Sequence, residues 1–239
     1  MTMAPTIKVI LLDIEGTTTP IDFVFQTLFP YARHHLAAYL AAHWEDVQAD
    51  LADLAAEHAA DVAQGLQPPP LDSIQLDYVV AYLHWLMARD RKSTPLKSLQ
   101  GKVWEEGYKS GALQSQFFAD VPPALARWQQ QQKRICIFSS GSVLAQKLLF
   151  AYTEFGDLSG FISGWFDTKV GAKKEASSYT RIAAALDVAP SEVVFLSDVT
   201  AELDAARASG MHTILSLRSG NPPQGGAENF AGVESFATL

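Results

Sequence analysis

The stretch KVILLDIEGTTTP, residues 8–20, decides the fold of this chain. Its first part, residues 8–14, is a short aliphatic run without proline or glycine, which predicts a buried strand. Asp13 lies at the end of this run, and Glu15 and Gly16 follow it at once. Ligands of open parallel sheets bind beyond the carboxyl ends of the strands, so these residues mark a candidate site.

The hundred or so residues after this strand have the apolar periodicity of helices. Residues 19–118 contain no strand candidate, and their apolar side chains recur every three or four positions. The repeats predict a helix over 47–62, a second helix capped by Asp72 that carries Ile74 on its apolar face, and a third helix from Pro95. This segment is therefore expected to fold as a helical cap.

After Asp120 the texture changes to alternating strands and helices. The predicted strands are 134–139, 164–168, 192–198 and 212–217, and the predicted helices between them are 142–151, 175–186 and 200–209. Such alternation predicts an α/β fold with a doubly wound parallel sheet. The first strand must join this sheet, because a lone strand is not stable. The predicted domains are an α/β core of residues 1–18 plus 120–239, with loop material at 219–226, and a cap of residues 19–119.

Composition and charge exclude several classes of protein. The chain has 239 residues and a formal net charge of −8, so it would repel nucleic acid. Its single cysteine, Cys136, lies in an apolar run and reads as an inert buried thiol in a reducing compartment. Residues 1–6 lack the features of a signal peptide, and no apolar run approaches the roughly 18 residues of a membrane span. We therefore expect a soluble cytoplasmic protein.

Polar residues follow the predicted strands at four places, and together they suggest a site. These residues are Asp13 and Glu15; Ser139 and Ser140; Lys169, Lys173 and Lys174; and Asp198 with Glu202 and Asp204. The carboxyl ends of parallel strands share one sheet edge, so a nucleophile, a hydroxyl, an amine and an acidic pair should meet there. Phosphoryl transfer needs this set, because a carboxylate that attacks an anionic phosphate must be helped by cations.

Electrostatics predict a metal ion at the same edge. Two carboxylates ~4 Å apart repel each other by about 4 kcal/mol at an effective dielectric constant of 20. Asp13 and Asp198 would therefore either share a proton or bind a divalent cation. Mg²⁺ prefers oxygen ligands and keeps several waters, so two protein carboxylates suffice. The lack of nearby histidine or cysteine argues against zinc.

Each of these residues alone has a structural explanation. Asp13 and Asp198 could cap turns, Gly16 could be a turn glycine, Ser142 could be a helix N-cap, and Lys174 could be a solvated surface residue. The six histidines form no HExxH arrangement. What favours a site is the order, since all four groups appear at the same predicted edge.

These residues resemble a known superfamily. The order of Asp13, Glu15, Gly16, Thr17, Ser139, Lys173 and Asp198 is similar to the four motifs of the haloacid dehalogenase superfamily. Within it, LLDIEGTTTPIDFV at 11–24 resembles the enolase-phosphatases, or acireductone synthases, of methionine salvage. Four further stretches resemble that family, at 117–121, 137–150, 166–173 and 196–206. Glu15 is specific to it, because most phosphatases of the superfamily carry aspartate there.

The resemblance implies a two-step reaction on 2,3-diketo-5-methylthiopentyl-1-phosphate. The enzyme would enolise the diketone and then hydrolyse the phosphate through an aspartyl-phosphate, as a monomer with one Mg²⁺. The implied roles are Asp13 as nucleophile and metal ligand; Glu15 as acid/base and as metal ligand through its backbone carbonyl; Ser139 and Ser140 as phosphate-binding; Lys173 as the neutralising cation; and Asp198 as metal ligand.

Two alternatives stay open from the sequence. The first is a phosphatase of the same fold that acts on another small phosphate ester. The second is a non-catalytic module that binds a metabolite. Glu15 and its surroundings favour the methionine-salvage enzyme over the first, and the apposed Asp13, Lys173 and Asp198 argue against the second.

Overall fold

The chain forms two compact units. The computed structural model describes residues 6–239; residues 1–5, most of the stretch considered above for a signal peptide, lie outside the described residues. One unit comprises the described residues up to Val24 and Gln114–Leu239, and the other comprises Phe25–Leu113. The observed boundaries are at 24/25 and 113/114, whereas the predicted ones are at 18/19 and 119/120. Each observed boundary thus lies six residues within the predicted cap.

A six-stranded parallel sheet is the centre of the first unit. Its strands are β1 Val9–Leu12, β2 Arg134–Phe138, β3 Ile162–Phe166, β4 Val193–Ser197, β5 His212–Ser216 and β6 Gly232–Val233. Their spatial order is β3-β2-β1-β4-β5-β6, which is the doubly wound order of dinucleotide-binding sheets. The predicted α/β doubly wound fold is therefore confirmed. All four residues of β1 are fully buried, as a central strand covered on both faces requires.

Helices account for most of the remaining structure. They are α1 Ile21–Phe23, α2 Phe29–Ala42, α3 Gln48–Ala63, α4 Leu76–Met87, α5 Thr94–Lys109, α6 Val121–Gln130, α7 Val143–Ala151, α8 Ala176–Ala185 and α9 Thr200–Ala208. A π-helical turn, Val24–Leu28, joins α1 to α2. In the described part of the chain, no helix is both long enough and apolar enough to cross a membrane.

Helices α2 to α5 form the second unit around their own apolar core. Leu36, Leu54, Leu83 and Leu99 come from four different helices and are all fully buried in one cluster. Four amphipathic helices thus bury their apolar stripes against each other, which is the simplest stable arrangement for such segments.

Two predicted elements differ from the structure in position. Helix α4 begins at Leu76 after Gln75, so the predicted cap at Asp72 was wrong. Ile74 lies before the helix and is exposed, whereas Val79 on the helix is fully buried. Strand β3 begins two residues earlier than predicted.

Two elements of the first unit were missed. Helix α6 starts with a valine and two prolines, a pattern that reads as a loop although proline is tolerated in a first helical turn. Strand β6 has only two residues, Gly232–Val233, which is too short for a recognisable pattern. Both lie in segments for which the sequence predicted no strand or helix.

Candidate active site

The candidate site lies where the sheet order reverses. Strands β1 and β4 are direct neighbours in the sheet, and Leu12 pairs with Leu196. Asp13 follows β1 and Asp198 follows β4, and the amide of Asp13 still donates to the carbonyl of Leu196 at 2.9 Å. In open parallel sheets, ligands bind at this switch point, beyond the carboxyl ends of the strands. The topology therefore brings the two predicted aspartates to one ligand-binding edge.

The carboxylate of Asp13 is buried and is held at both of its oxygens. Its Oδ1 accepts a hydrogen bond from the amide of Ile14 at 2.8 Å and lies 2.6 Å from Lys173 Nζ. Its Oδ2 accepts from the hydroxyl of Ser197 at 3.0 Å. Donors on both sides fix the plane of the carboxylate, which suits a nucleophile that must attack along one line.

Lys173 supplies the buried positive charge of the site. Its ammonium lies 2.6 Å from Asp13 Oδ1 and 2.6 Å from Glu202 Oε2. Burial alone would lower the pKa of Lys173, but the charges of Asp13 and Glu202 outweigh it and raise the pKa above the ordinary lysine value. The hydroxyl of Tyr179 donates to the carbonyl of Lys173 at 2.6 Å and fixes the backbone there. Lys173 therefore stays an ammonium.

The neighbouring lysines do not share this position. Lys169 and Lys174 are both exposed, whereas only 7% of Lys173 is accessible to solvent. From the sequence, only spacing favoured Lys173 over Lys174 as the cation of the site. The structure brings Lys173 to Asp13.

Asp198 is the second buried carboxylate of the edge, and it packs against the loop that carries Asp13. A Cβ on Gly16 would lie 2.6 Å from the carboxyl carbon of Asp198, and Gly16 has a φ of +69°. Glycine is needed there both for the turn and for this close approach. Burial, and then the charge of Asp13, raise the pKa of Asp198 to about 7. A carboxylate with such a pKa is destabilised in its charged form unless a cation is bound beside it.

The donor set fits a hard divalent cation. Asp13 and Asp198 are both buried, and the charge of Asp13 is among the causes that raise the pKa of Asp198. Within residues 6–239 no group of three or more His, Cys, Asp or Glu side chains is arranged to hold a metal ion. The predicted site needs only two carboxylate side chains, and a backbone carbonyl at Glu15 would provide a third oxygen. Oxygen ligands few enough to leave room for water suit Mg²⁺.

Ser139 and Ser140 follow β2, and the two differ in exposure. Ser139 is buried; its hydroxyl lies 3.4 Å from Glu15 Oε2 and accepts from the amide of Gly141 at 3.1 Å. Ser140 is exposed. Ser142 caps α7, because its hydroxyl accepts from the amide of Ala145 at 3.3 Å. This is the structural role that the sequence suggested for Ser142. Ser139 and Ser140, which precede this N-cap residue, thus remain the candidates for phosphate binding.

Glu15 is partly exposed and lies beside Ser139. Desolvation, and then the charge of Asp13, raise the pKa of its carboxyl group, while Lys173 lowers it. A raised carboxyl pKa brings protonation closer to neutral pH, which is what an acid/base group requires.

Sequence reasoning did not assign a role to Glu202, Ser197 or Gln146. Glu202 is buried and bridges Lys173 and Ser197, while Asp204 is exposed and pairs with Arg207 at 2.6 Å. No sequence signal separated Glu202 from Asp204, because both lie in α9 and only the packing of that helix decides which of them is buried.

Gln146 stabilises the loop after β2 that carries Ser139 and Ser140. Its side-chain amide donates to the carbonyls of Gly141 and Phe166, both at 2.9 Å, so it joins the loop after β2 to the end of β3. No sequence signal distinguishes this glutamine from a surface residue.

Comparisons with known proteins assign the chain to a family. The sequence profile of haloacid dehalogenase-like hydrolases matches residues 7–210. "Enolase-phosphatase E1" of Synechococcus elongatus is 55% identical over 223 residues, covering 92% of this chain and 93% of that protein. "Enolase-phosphatase E1" of Pseudomonas syringae is 46% identical over 239 residues, covering 98% and 97%.

A solved structure has the same fold over the whole chain. The UTR4 protein of Saccharomyces cerevisiae is 36% identical, with a TM-score of 0.80, and the match covers 98% of this chain and 100% of that one. Sequence and structure thus agree with the resemblance first seen at residues 11–24, and the chain belongs to the enolase-phosphatases of the haloacid dehalogenase-like hydrolases.

Proposed function

We propose that this chain converts 2,3-diketo-5-methylthiopentyl-1-phosphate into 1,2-dihydroxy-3-keto-5-methylthiopentene, an acireductone, and phosphate. The observation that carries the proposal is the buried Asp13 carboxylate 2.6 Å from the buried ammonium of Lys173, at the switch point of the sheet. Relatives named enolase-phosphatase support the same activity. The substrate is a small phosphate ester.

In the phosphatase step, Asp13 acts as the nucleophile. A carboxylate oxygen of Asp13 forms a bond to phosphorus while the ester bond between phosphorus and the substrate oxygen breaks. Glu15 gives a proton to the leaving oxygen and then takes one from the water that attacks the aspartyl-phosphate. The water oxygen ends in the released phosphate, and Asp13 regains its carboxylate.

The phosphoryl group is held by Ser139, Ser140 and Lys173. The serine hydroxyls donate to its oxygens, and the ammonium of Lys173 offsets the negative charge that opposes attack by Asp13. Because Lys173 is 7% exposed, its charge acts with little screening by water.

Asp13, Asp198 and the backbone carbonyl of Glu15 would hold one Mg²⁺ per chain. When bound, the ion supplies positive charge that lowers the repulsion between the carboxylates and the phosphate. The raised pKa of Asp198 supports this assignment, because a buried carboxylate beside another is stabilised by such a cation.

The enolase step moves a proton from a carbon of the diketone to the neighbouring carbonyl oxygen. Glu15 is the proposed shuttle, because it lies beside Ser139 at the same edge and its pKa is raised. Glutamate is one methylene longer than the aspartate usual at this position, which extends its reach across adjacent substrate atoms.

We further propose that the chain works as a cytoplasmic monomer. The groups assigned above all come from one chain and one unit of it. The single cysteine, Cys136, is buried and can form no disulfide within the chain. A sedimentation measurement at assay concentration would test the monomer directly.

The proposal is tested by following two signals from the diketo-phosphate substrate. The absorbance of the enediol should rise before inorganic phosphate appears, and EDTA should abolish phosphate release. A generic ester such as p-nitrophenyl phosphate is assayed in parallel. Cleavage of the generic ester without turnover of the diketo-phosphate would favour another phosphatase of the same fold, and cleavage of neither would favour a binding module.

A further inference from the structure

Four side chains at the site form a closed ring of polar contacts. Lys173 bridges Asp13 and Glu202, with 2.6 Å to each. On the other side, the hydroxyl of Ser197 lies 3.0 Å from Asp13 Oδ2 and 3.0 Å from Glu202 Oε2. Ser197 is fully buried at the end of β4, so water does not replace either contact. The nucleophile and Glu202 are thus joined by two routes.

Ser197 has fewer hydrogens than it has acceptors. A serine hydroxyl carries one hydrogen and two lone pairs. The amide of Val199 donates to Ser197 Oγ at 3.1 Å and so occupies a lone pair. The single hydroxyl hydrogen then faces carboxylate oxygens of Asp13 and Glu202 at equal distances. It can be donated fully to only one of them at a time.

We propose that Ser197 is a positioning residue that donates its hydroxyl hydrogen to Asp13 in the free enzyme and to Glu202 while Asp13 is phosphorylated. This inference rests on the proposed function, because it requires an aspartyl-phosphate. Phosphorylation removes the negative charge from the Asp13 carboxyl group, so Glu202 becomes the stronger acceptor. The change is a rotation about the Cβ–Oγ bond of Ser197, and it reverses when water releases the phosphate.

The consequence concerns the approach of the nucleophile. In the free enzyme, Ser197 restrains the Oδ2 side of Asp13, as Lys173 and the amide of Ile14 restrain the Oδ1 side. Without the hydroxyl, the carboxylate of Asp13 could turn about its own axis. The reacting atoms would then spend less time in line, which slows phosphorylation without weakening substrate binding.

A neighbouring serine provides a matched control. Ser216 ends β5 as Ser197 ends β4, and it is also buried. Its hydroxyl has no hydrogen-bond partner among the residues that the structure describes. Removing the hydroxyl from Ser216 therefore changes the same kind of buried strand end without touching the ring.

The experiment compares Ser197→Ala, Ser197→Thr and Ser216→Ala in the Mg²⁺-loaded protein. Ser197→Ala should lower kcat about 10- to 100-fold, the loss of one hydrogen bond to a charged group, with KM nearly unchanged. Rapid-quench measurements should show slower formation of the phosphoenzyme. Ser197→Thr should restore most of kcat, and Ser216→Ala should behave as wild type.

A merely structural role would give a different result. It would lower the melting temperature of Ser197→Ala. The loss of activity would then not depend on the hydroxyl, and Ser197→Thr would not restore kcat. Wild-type kcat for Ser197→Ala would overturn the inference, as would a loss confined to KM. Both p-nitrophenyl phosphate and the diketo-phosphate are used, so the result does not depend on the identity of the natural ester.

Double-mutant cycles on urea unfolding give a readout that needs no activity. The cost of Ser197→Ala should change when Asp13→Asn is present and should change again with Glu202→Gln, because the three groups share one hydrogen. Additive costs in both cycles would overturn the inference. An inactive wild type would instead overturn the proposed function, and the cycles would still decide whether Ser197 couples the two carboxyl groups.

Discussion

At the scale of single residues, the reactivity of Asp13 depends on its immediate neighbours. Lys173 and the amide of Ile14 both donate to Oδ1 of Asp13. Lys173 is in turn held by Glu202 at 2.6 Å. Asp13, Lys173 and Glu202 thus form one electrostatic unit, and removal of any member should affect the others.

The first prediction at this scale separates the two adjacent lysines. Lys173→Ala should lower kcat at least about 100-fold, because it leaves two buried carboxylates without their cation. Lys174→Ala is the matched control and should keep wild-type kcat, since Lys174 is exposed. Steady-state kinetics on p-nitrophenyl phosphate measure both. Loss of activity in Lys174→Ala alone would show that the assignment is wrong.

The second prediction concerns the length of Glu15. Glu15→Asp should slow enolisation more than dephosphorylation, because the shorter side chain still reaches the leaving oxygen but spans adjacent substrate atoms less well. Stopped-flow absorbance of the enediol and release of phosphate report the two steps separately. Equal losses in both steps would count against a shuttle at Glu15.

The positions of the site residues show how far a sequence can predict a site. That Asp13, Lys173 and Asp198 lie at one edge could be predicted, because strand ends in a parallel sheet must share an edge. Glu202 could not be separated from Asp204, since both lie in the first half of α9 and only the packing of that helix decides which is buried. The contact between Gly16 and Asp198 also depends on coordinates that no pattern of residue types specifies.

At the scale of elements, a buried ion pair fastens the C-terminal segment to the loop that carries Asp13. Arg218 donates to both oxygens of Asp120, at 3.0 and 2.8 Å, and to the carbonyl of Thr17 at 3.1 Å. Asp120 also accepts from the hydroxyl of Ser235 at 2.9 Å. The guanidinium of Arg218 lies over the ring of Phe236, 4.2 Å from its centroid. The loop after β1 is therefore supported by residues for which the sequence predicted no strand or helix.

This pair leads to a prediction about stability. Asp120→Ala should lower the free energy of unfolding by about 3 kcal/mol, because it leaves Arg218 buried and without its partner. The control is Asp204→Ala, which breaks an exposed pair and should cost less than about 1 kcal/mol. Urea unfolding at neutral pH measures both. Equal costs for the two variants would contradict the structural account of the Asp120–Arg218 pair.

The pH dependence of that cost follows from the pKa of Asp120. Burial opposes ionisation of Asp120, but hydrogen bonds from Arg218 and the Phe236 amide outweigh it and lower the pKa below 3.8. A lowered carboxyl pKa stabilises the folded state above the unfolded-state pKa, and this stabilisation is lost as the pH falls. The difference between wild type and Asp120→Ala should therefore shrink in acid.

The elements themselves were predicted unevenly, for physical reasons. Strands β1, β2 and β4 are mainly apolar runs that are almost wholly buried, so their composition marks them. Strand β6 pairs through only two residues, and its register with Leu215 and Ser216 depends on the sheet that is already formed. Helix α6 begins with prolines, which are typical of loops, so the sequence did not indicate a helix there. Short edge strands and proline-started helices depend on tertiary packing more than on local preference.

At the scale of the whole molecule, the carboxylates of the site make stability depend on pH and on metal. Burial, and then the charge of Asp13, raise the pKa values of Asp198 and Glu202 to about 7 in the metal-free protein. The folded state therefore binds more protons than the unfolded chain between about pH 4 and pH 7. The free energy of unfolding must fall as the pH rises through that range.

This gives a prediction for the protein in EDTA. Its melting temperature should fall between about pH 4 and pH 7, and added Mg²⁺ should raise it more at the upper pH, where the carboxylates are charged. Asp198→Asn should reduce the pH slope and the response to Mg²⁺. Asp204→Asn is the control and should retain both. A metal-free slope of the opposite sign would contradict the assignment of Asp198 and Glu202 as raised acids.

If Asp13 is the nucleophile, the phosphoryl group passes through a covalent bond to its carboxylate. Protein mixed with substrate is quenched within one turnover and reduced with borohydride, which converts an aspartyl-phosphate into homoserine, and the peptides are analysed by mass spectrometry. Homoserine is expected at position 13 in wild type and not in Asp13→Asn, which should also release no phosphate. Phosphate release by wild type without any modification of Asp13, or with modification at another carboxylate, would contradict the assignment of Asp13 as the nucleophile.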